Sequence, residues 1–236
     1  YAPLTEKIMS AVRAVTDKPI GFVLNTHWHG DHTGGNENLG KMGALIVAHD
    51  NVRTRMSTEQ FMKAFNRTIA PSPKAALPVV TFNDTVTFHL NDETIHAFHV
   101  PPAHTDGDSV IFFKNANVVH AGDLFFRARF PFIDLSAGGS FSGMIAASER
   151  LLEVVDDETK IIPGHGDLAT KSDLQEYRDM LVLVKERVAP LIAAGKTEAE
   201  LVAAKPLADS PSWGEGFVNA DRFLSIVYQS LKSESN

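Results

Sequence analysis

Four potential metal ligands lie within six residues near the start of this 236-residue chain, in the motif His27-x-His29-x-Asp31-His32. In an extended segment, side chains two residues apart point to the same side. We therefore expect His27, His29 and Asp31 to converge and His32 to project to the opposite side. Imidazole and carboxylate groups at this density are unusual for a core or a surface, and both are ligands that zinc accepts. The motif predicts a metal site.

Three further candidate ligands, His104, Asp123 and His165, occur later in the chain. Each is predicted to lie in a loop just after the C-terminal end of an apolar strand, where α/β folds commonly assemble their sites. The three strands are Thr94–Val100, Asn117–Ala121 and Lys160–Ile162. A lone loop histidine is more often exposed to solvent, and Asp123 would also suit a turn. The dense first motif favours ligation for all three.

Apolar periodicity predicts helices and strands mixed along the chain with no linker between them, and hence a single α/β domain over residues 1–236. The main predicted helices are Leu4–Val15, Asn51–Asn66, Ser142–Val155 and Asp173–Val188. The segment Met56–Pro78 is either a lid over the predicted site or a surface helix packed against a sheet. Four aromatic residues either line a substrate pocket or belong to the core, namely Phe125, Phe126, Phe130 and Phe132.

The composition excludes several classes of protein. The chain has 22 Lys and Arg residues against 29 Asp and Glu residues, a net charge of −7, and no cysteine. Disulfides, cysteine nucleophiles and thiolate ligands are therefore excluded. The acidic balance disfavours a nucleic-acid partner, because neutralising phosphates needs clustered basic residues. No apolar run approaches the roughly 20 residues of a membrane span. We expect a soluble protein of the cytoplasm or periplasm that acts on a small molecule, with its oligomeric state left open.

The first motif and the three later candidates resemble, in order and spacing, the ligand series of the metallo-β-lactamase superfamily, from about Leu4 to about Arg178. The resemblance implies an αβ/βα four-layer sandwich of two β-sheets flanked by helices. It also implies two metal ions, zinc by preference and iron or manganese as alternatives. By this resemblance the first metal is held by His27, His29 and His104, the second by Asp31, His32 and His165, and Asp123 bridges the two. Family members usually have several strands before the helix that Leu4–Val15 resembles, so we expect a truncated chain with an incomplete first sheet.

The resemblance also implies a reaction, in which a water activated by the metal pair attacks a carbonyl carbon and Asp31 orients that water. The first hypothesis is a dinuclear zinc hydrolase that opens β-lactam rings. A thioesterase similar to glyoxalase II, or a lactonase, is the alternative, because these enzymes usually have an aspartate at the position of Asp123 and β-lactamases commonly lack it. However, no basic C-terminal segment resembles the glutathione-binding region of glyoxalase II. A mononuclear iron oxygenase on the same scaffold would need only one filled metal site.

Overall fold

The structure, a computed structural model, describes residues 1–209, 213 and 216–234. Strands and α-helices are mixed along this part of the chain, as the sequence predicts. The strands are β1 (Phe22–Leu24), β2 (Leu45–His49), β3 (Gln60–Met62), β4 (Arg67–Ile69), β5 (Val80–Phe82), β6 (Thr85–Leu90), β7 (Glu93–His99), β8 (Ser109–Phe113), β9 (Val118–Phe126) and β10 (Lys160–His165). The helices are α1 (Thr5–Arg13), α2 (Gly30–Thr33), α3 (Asn36–Lys41), α4 (Asp50–Ser57), α5 (Phe141–Val154), α6 (Lys171–Ala193), α7 (Glu198–Ala203) and α8 (Ala220–Glu234).

Two main sheets organise the molecule. The first is parallel and, within the described residues, has three strands in the order β1-β2-β5. The second is mixed, in the order β10-β9-β8-β7-β6, with β10 parallel to β9 and the other pairs antiparallel. Helices α3 and α4 pack against β2, whereas α5 and α6 pack against β9 and α8 packs on α5 and α6. The predicted fold of sheets flanked by helices is confirmed.

The larger hydrophobic core lies between the second sheet and helices α5, α6 and α8. Its fully buried aromatic side chains come from all of these elements: Phe125 from β9, Phe141 from α5, Tyr177 from α6 and Phe223 from α8. Helix α5 begins at Phe141, one residue before the predicted start, because the hydroxyl of Ser140 accepts a hydrogen bond from the amide of Gly143 at 2.9 Å and so caps the first turn. This core includes side chains of both β9 and β10, and both strands carry candidate ligands.

We expect Phe141→Ala to lower the free energy of unfolding by about 3–5 kcal/mol, the usual cost of a cavity left by a buried phenyl ring. The Phe141 ring is completely buried and meets the ring of Phe223 edge-on, with the centroids 5.9 Å apart. Urea denaturation measures the loss. The control is Phe61→Ala, at a side chain that is 55% exposed, which should change stability by no more than about 0.5 kcal/mol. Equal effects of the two changes would contradict this assignment of the core.

The predicted helix Asn51–Asn66 is wrong in its second half. Helix α4 ends at Ser57, and Thr58 takes an extended conformation with φ −127° and ψ 159°. The following residues form an antiparallel hairpin of β3 and β4, which turns through a left-handed residue, Asn66, with φ +47°. Asparagine tolerates this conformation better than most residues do. The tight turn therefore overrides the helical pattern, and Met56–Pro78 is neither a continuous helix nor a plain loop.

Two expectations about strand ends are also wrong. Asp123 and His165 lie inside strands rather than in loops, because β9 continues to Phe126 and β10 continues to His165. The pairing of these two strands shifts register at Pro163 and again before His165. Such irregularities bend a strand and change the direction of its side chains. Asp123 and His165 can therefore reach a common site from within their strands.

Helix α1 is shorter than predicted, and its apolar stripe is not buried. The side chains of Leu4, Ile8 and Val15 are 48%, 49% and 87% exposed. None of the helices in the described parts of the chain is long and apolar enough to cross a membrane.

Candidate metal centre

All seven sequence-predicted residues meet at one place in the structure. Their possible ligand atoms form two groups, and within each group these atoms lie within 4.8 Å of one another. The first group contains His27, His29, His104 and Asp123, and the second contains Asp31, His32 and His165. Residues more than 130 positions apart in sequence therefore converge in space.

The first group is buried throughout, with each residue at most 7% exposed. Nδ1 of His29 lies 2.9 Å from Nε2 of His104. Nε2 of His104 and Nε2 of His27 lie 3.4 and 3.9 Å from Oδ2 of Asp123. Three imidazoles and one carboxylate thus direct their ring nitrogens and oxygens towards a shared point.

The second group depends on a helical turn that the sequence analysis missed. Helix α2 begins at Gly30, directly after the extended residue His29. This turn brings His32 back towards the cluster, so the expectation that it projects to the opposite side is wrong. The rings of His27 and His32 lie 4.2 Å apart between centroids. Oδ2 of Asp31 is then 3.3 Å from Nε2 of His32 and 3.4 Å from Nε2 of His165.

Asp123 touches both groups. Besides its first-group contacts, its carboxylate lies 3.0 Å from Nε2 of His32, through Oδ1, and 3.4 Å from Nε2 of His165, through Oδ2. Two glycines make this position possible. Gly122 has φ +53°, a conformation that favours glycine, and a Cβ at Gly164 would lie 1.9 Å from Oδ1 of Asp123. The carboxylate therefore occupies space that a side chain at Gly164 would otherwise fill.

We expect Gly164→Ala to weaken metal binding, because the added methyl group also meets the backbone, at 2.7 Å from the carbonyl carbon of Gly122 and 2.8 Å from the amide nitrogen of Asp123. Moving the Asp123 side chain alone would not relieve the clash, so stability should fall by roughly 1–3 kcal/mol as well. Metal content and thermal unfolding measure the two effects. The control is Gly21→Ala, where a Cβ meets nothing within 4 Å. A Gly164→Ala variant that binds metal as tightly as Gly21→Ala would contradict the assigned packing.

The donor atoms of the first group suit a cation. Nε2 of His27 is buried without a hydrogen-bond partner in the described part of the chain, which is costly for a polar atom unless a ligand satisfies it. Burial lowers the pKa of His27 well below its usual value and lowers that of His104 to about 4. Both imidazoles are therefore neutral near pH 7 and present lone pairs, as metal coordination requires.

The second group behaves as a network of ion pairs. Burial would lower the pKa of His32, but its contacts with Asp123 and Asp31 outweigh burial and raise this pKa to about 9. Contacts with the same two carboxylates raise the pKa of His165 to about 10. Burial would raise the pKa of Asp31, yet hydrogen bonds from His165 and His32 hold it well below its usual range. Without metal the protons on these imidazoles balance the carboxylates, and a cation would replace them.

Partners outside the seven residues fix the orientation of the imidazoles. Nε2 of His29 lies 3.0 Å from Oδ2 of Asp134, which is 1% exposed, and Nδ1 of His104 donates to the carbonyl oxygen of Phe132 at 2.8 Å. The hydrogen bond to His29 holds the pKa of Asp134 below its usual value even though burial opposes this. Sequence analysis missed Asp134, because no motif surrounds it and its partner lies 105 residues earlier.

We expect Asp134→Asn to reduce metal affinity about 10- to 100-fold, the usual effect of losing a carboxylate that orients a ligating histidine. Asparagine preserves the shape of the side chain and removes its charge, so the fold should persist. Zinc competition against a chromogenic chelator measures the affinity, and Asp17→Asn, an exposed position, is the control. Unchanged affinity in Asp134→Asn would show that His29 needs no such partner.

A cavity of about 590 Å³ opens onto the cluster. Four of the seven residues reach its wall, namely His29, Asp31, Asp123 and His165. The hairpin of β3 and β4 covers one side through Met62, Phe65 and Ile69. Of the four aromatic residues singled out in the sequence, all are buried in the larger core, and Phe126, Phe130 and Phe132 also line this cavity. The hairpin thus lies beside the cluster, which is the position that a lid formed by Met56–Pro78 would occupy.

Solved structures resemble this chain in fold. A metallo-beta-lactamase from Pontibacter korlensis is 20% identical, with a TM-score of 0.60 over 75% of this chain and 76% of that one. The protein TTHA1623, solved in a di-iron-bound form, is 24% identical, with a TM-score of 0.57 over 71% of this chain and 80% of that one.

Sequence comparison identifies the family. A hydroxyacylglutathione hydrolase of Pelagibacter ubique is 28% identical over 160 residues, which are 65% of this chain but 56% of that protein. The chain thus spans little more than half the length of this curated relative. The family model of the Metallo-beta-lactamase superfamily matches residues 3–165, a span that ends on the last of the seven clustered side chains. With its fold, its clustered residues and this match in agreement, the chain belongs to the metallo-beta-lactamase superfamily.

Proposed function

We propose that this protein is a dinuclear metal-dependent hydrolase that cleaves the acyl bond of a small-molecule thioester or ester. In this proposal His27, His29 and His104 hold one metal, Asp31, His32 and His165 hold the other, and Asp123 contacts both. The single observation that carries the proposal is the position of the Asp123 carboxylate, within 4 Å of imidazoles from both groups. Zinc fits the content of imidazole best, and iron or manganese are the alternatives.

A metal pair in such a site supplies a Lewis acid for a carbonyl oxygen and lowers the pKa of water towards neutrality. The protein's own residues do the rest. The carboxyl group of Asp31 has a pKa well below its usual range when His165 and His32 donate to it, and a cation in place of their protons would keep it ionised. Its carboxylate, 32% exposed at the cavity wall, accepts a hydrogen bond from the attacking water and so orients it. Phe132 and Met62 exclude bulk water from the same wall, which strengthens electrostatic contacts inside.

The choice of a thioester or ester over a β-lactam rests on Asp123 and on the curated relative. The sequence analysis placed β-lactams first, but an aspartate at this position is typical of the thioesterases and lactonases of the superfamily. The relative from Pelagibacter ubique is named for thioester hydrolysis. The chain spans little more than half of that relative, so we do not carry over glutathione as the thiol. β-Lactams become the second arm of the test.

The experiment is a side-by-side assay of zinc-loaded protein with a phenylacetyl thioester, a chromogenic cephalosporin and an acyl lactone. We expect the thioester to be hydrolysed with a kcat/KM at least tenfold above that for the cephalosporin, and hydrolysis to disappear after chelation and return with zinc. Faster cleavage of the cephalosporin would restore the β-lactam hypothesis. Hydrolysis of none of the three by protein that holds two metals would overturn the proposal.

A further inference from the structure

The cavity beside the cluster carries positive charge that its own wall does not balance. Three arginines line it, namely Arg55, Arg67 and Arg129. Arg55 is neutralised, because its Nε and Nη2 both lie 2.7 Å from the carboxylate oxygens of Asp106. Over the range of residues that the structure describes, the guanidinium groups of Arg67, on β4, and Arg129, just after β9, have no hydrogen-bond or ion-pair partner. Two guanidinium groups are thus available to a bound molecule.

The acidic residues of the same wall are already engaged. Within the described residues the cavity is lined by two carboxylates, Asp31 and Asp123, and both belong to the cluster that the proposed function assigns to metals. Bound cations would neutralise them and would add positive charge. The chain as a whole has a net charge of −7, so the unbalanced arginines are a local feature of this cavity. A local cationic patch in a cleft concentrates anionic ligands.

Aromatic side chains line the same cavity as the arginines. The rings of Phe65 and Phe217 stack with their centroids 5.4 Å apart, and Phe65 meets the ring of Phe132 at 5.5 Å. Phe65 and Phe217 remain 43% and 62% exposed. The guanidinium of Arg222 lies over both exposed rings, 5.5 Å from Phe65 and 4.3 Å from Phe217, and joins the hairpin to the segment before α8. An exposed but fixed aromatic surface in a cavity favours an apolar or aromatic ligand.

We infer that the substrate of the proposed hydrolase is amphipathic, with an apolar or aromatic body and an anionic group, such as a carboxylate, placed away from the scissile carbonyl. Phe65, Phe132 and Phe217 contact the body, while Arg67 and Arg129 bind the anion. Arginine suits this task because its planar fork matches a carboxylate with two parallel hydrogen bonds. The inference rests on the proposed function for the reaction, but the recognition of the anion has its own test.

The experiment uses two matched pairs of thioesters. In the first pair, phenylacetyl thioesters carry either 3-mercaptopropionate or its N-methylamide as the thiol. In the second pair, the S-methyl thioester of 4-carboxyphenylacetic acid has a free carboxylate on its ring. It is compared with the same thioester in which that ring carboxylate is replaced by its N-methylamide. For at least one pair we expect the zinc-loaded protein to prefer the anionic member about tenfold in kcat/KM, roughly the effect of one charge-assisted hydrogen bond.

Arg67→Gln and Arg129→Gln should each reduce this ratio of kcat/KM values towards one by raising KM for the anionic member, with kcat unchanged. The control is Arg13→Gln, an exposed arginine outside the cavity, which should keep the wild-type ratio.

Binding provides a readout that does not require turnover. The thioethers that correspond to each thioester cannot be hydrolysed, and calorimetry should show the anionic thioether binding about tenfold more tightly than its amide, with the difference lost in Arg67→Gln and Arg129→Gln. If no thioester is hydrolysed but this difference persists, the proposed function fails and the recognition of an anion stands. If the anionic and neutral members bind equally in both pairs, or if neither arginine variant alters the ratio, the inference is overturned.

Discussion

Replacing Asp123 with asparagine is expected to lower kcat/KM by roughly a thousandfold or more, equivalent to about 4 kcal/mol of transition-state stabilisation. The physical reason is its double contact, because the carboxylate lies 3.4 Å from His104 of the first group and 3.0 Å from His32 of the second. Burial would raise the pKa of Asp123, but the neighbouring imidazoles, above all those of His104 and His27, hold it well below its usual value. The Asp123 carboxylate therefore carries a full negative charge at neutral pH. Asparagine preserves the volume and removes that charge from both groups at once.

The measurement for Asp123→Asn combines steady-state kinetics with metal content. We expect fewer than two metal ions per chain after dialysis, together with the loss of turnover. Asp84→Asn, at an exposed aspartate, controls for the change in net charge and should retain both. A variant of Asp123 that keeps two metals and normal turnover would remove the bridging role from the account.

Asp31→Asn is expected to lower turnover by about 10²- to 10⁴-fold, the usual range for losing a group that positions or accepts a transferred proton, while the fold remains intact. Asp31 lies in the second group and not in the first, so the metal held by His27, His29 and His104 should remain bound. The side chain is 32% exposed at the cavity wall, and its removal leaves no buried cavity.

The distinguishing result for Asp31→Asn is therefore a large loss in kcat with at least one metal ion retained and a cooperative unfolding transition that shows the fold is kept. Asp84→Asn again serves as the control. Full activity in Asp31→Asn would contradict its proposed role in orienting the water, whatever the metal content.

The sequence predicted the cluster because several of its ligand-type residues occur in short, recognisable sequence patterns. The density of imidazoles around His29 singles out the first motif, and apolar strands before His104 and Asp123 point to one sheet edge. The density of ligand-type residues and the order of the strands were enough to group these residues, although Asp123 and His165 lie within strands and not after them. The convergence of His27, His29 and Asp31 was predictable from their spacing, whereas the full set of seven residues and the two sheets followed from the resemblance to the superfamily.

What the sequence did not predict depends on backbone details or distant partners. The inward direction of His32 follows from the helical turn that begins at Gly30. This helix has only four residues, too few for a helical pattern to be recognised in the sequence. The hairpin after α4 turns at Asn66, where a left-handed conformation wins over apolar periodicity. Asp134 orients His29 across 105 residues, a contact that exists only once the second sheet and its following loop are folded. The unbalanced Arg67 and Arg129 become meaningful only when a cavity brings them near the cluster.

The central claim is that seven side chains hold a pair of metal ions, and metal stoichiometry tests it most directly. Protein stripped with chelator, reloaded with zinc and dialysed should contain two zinc ions per chain by plasma mass spectrometry, falling to at most one in Asp123→Asn. One ion per chain in the unmodified protein, or a strict preference for a single iron, would instead fit a mononuclear oxygenase on the same scaffold and contradict the account.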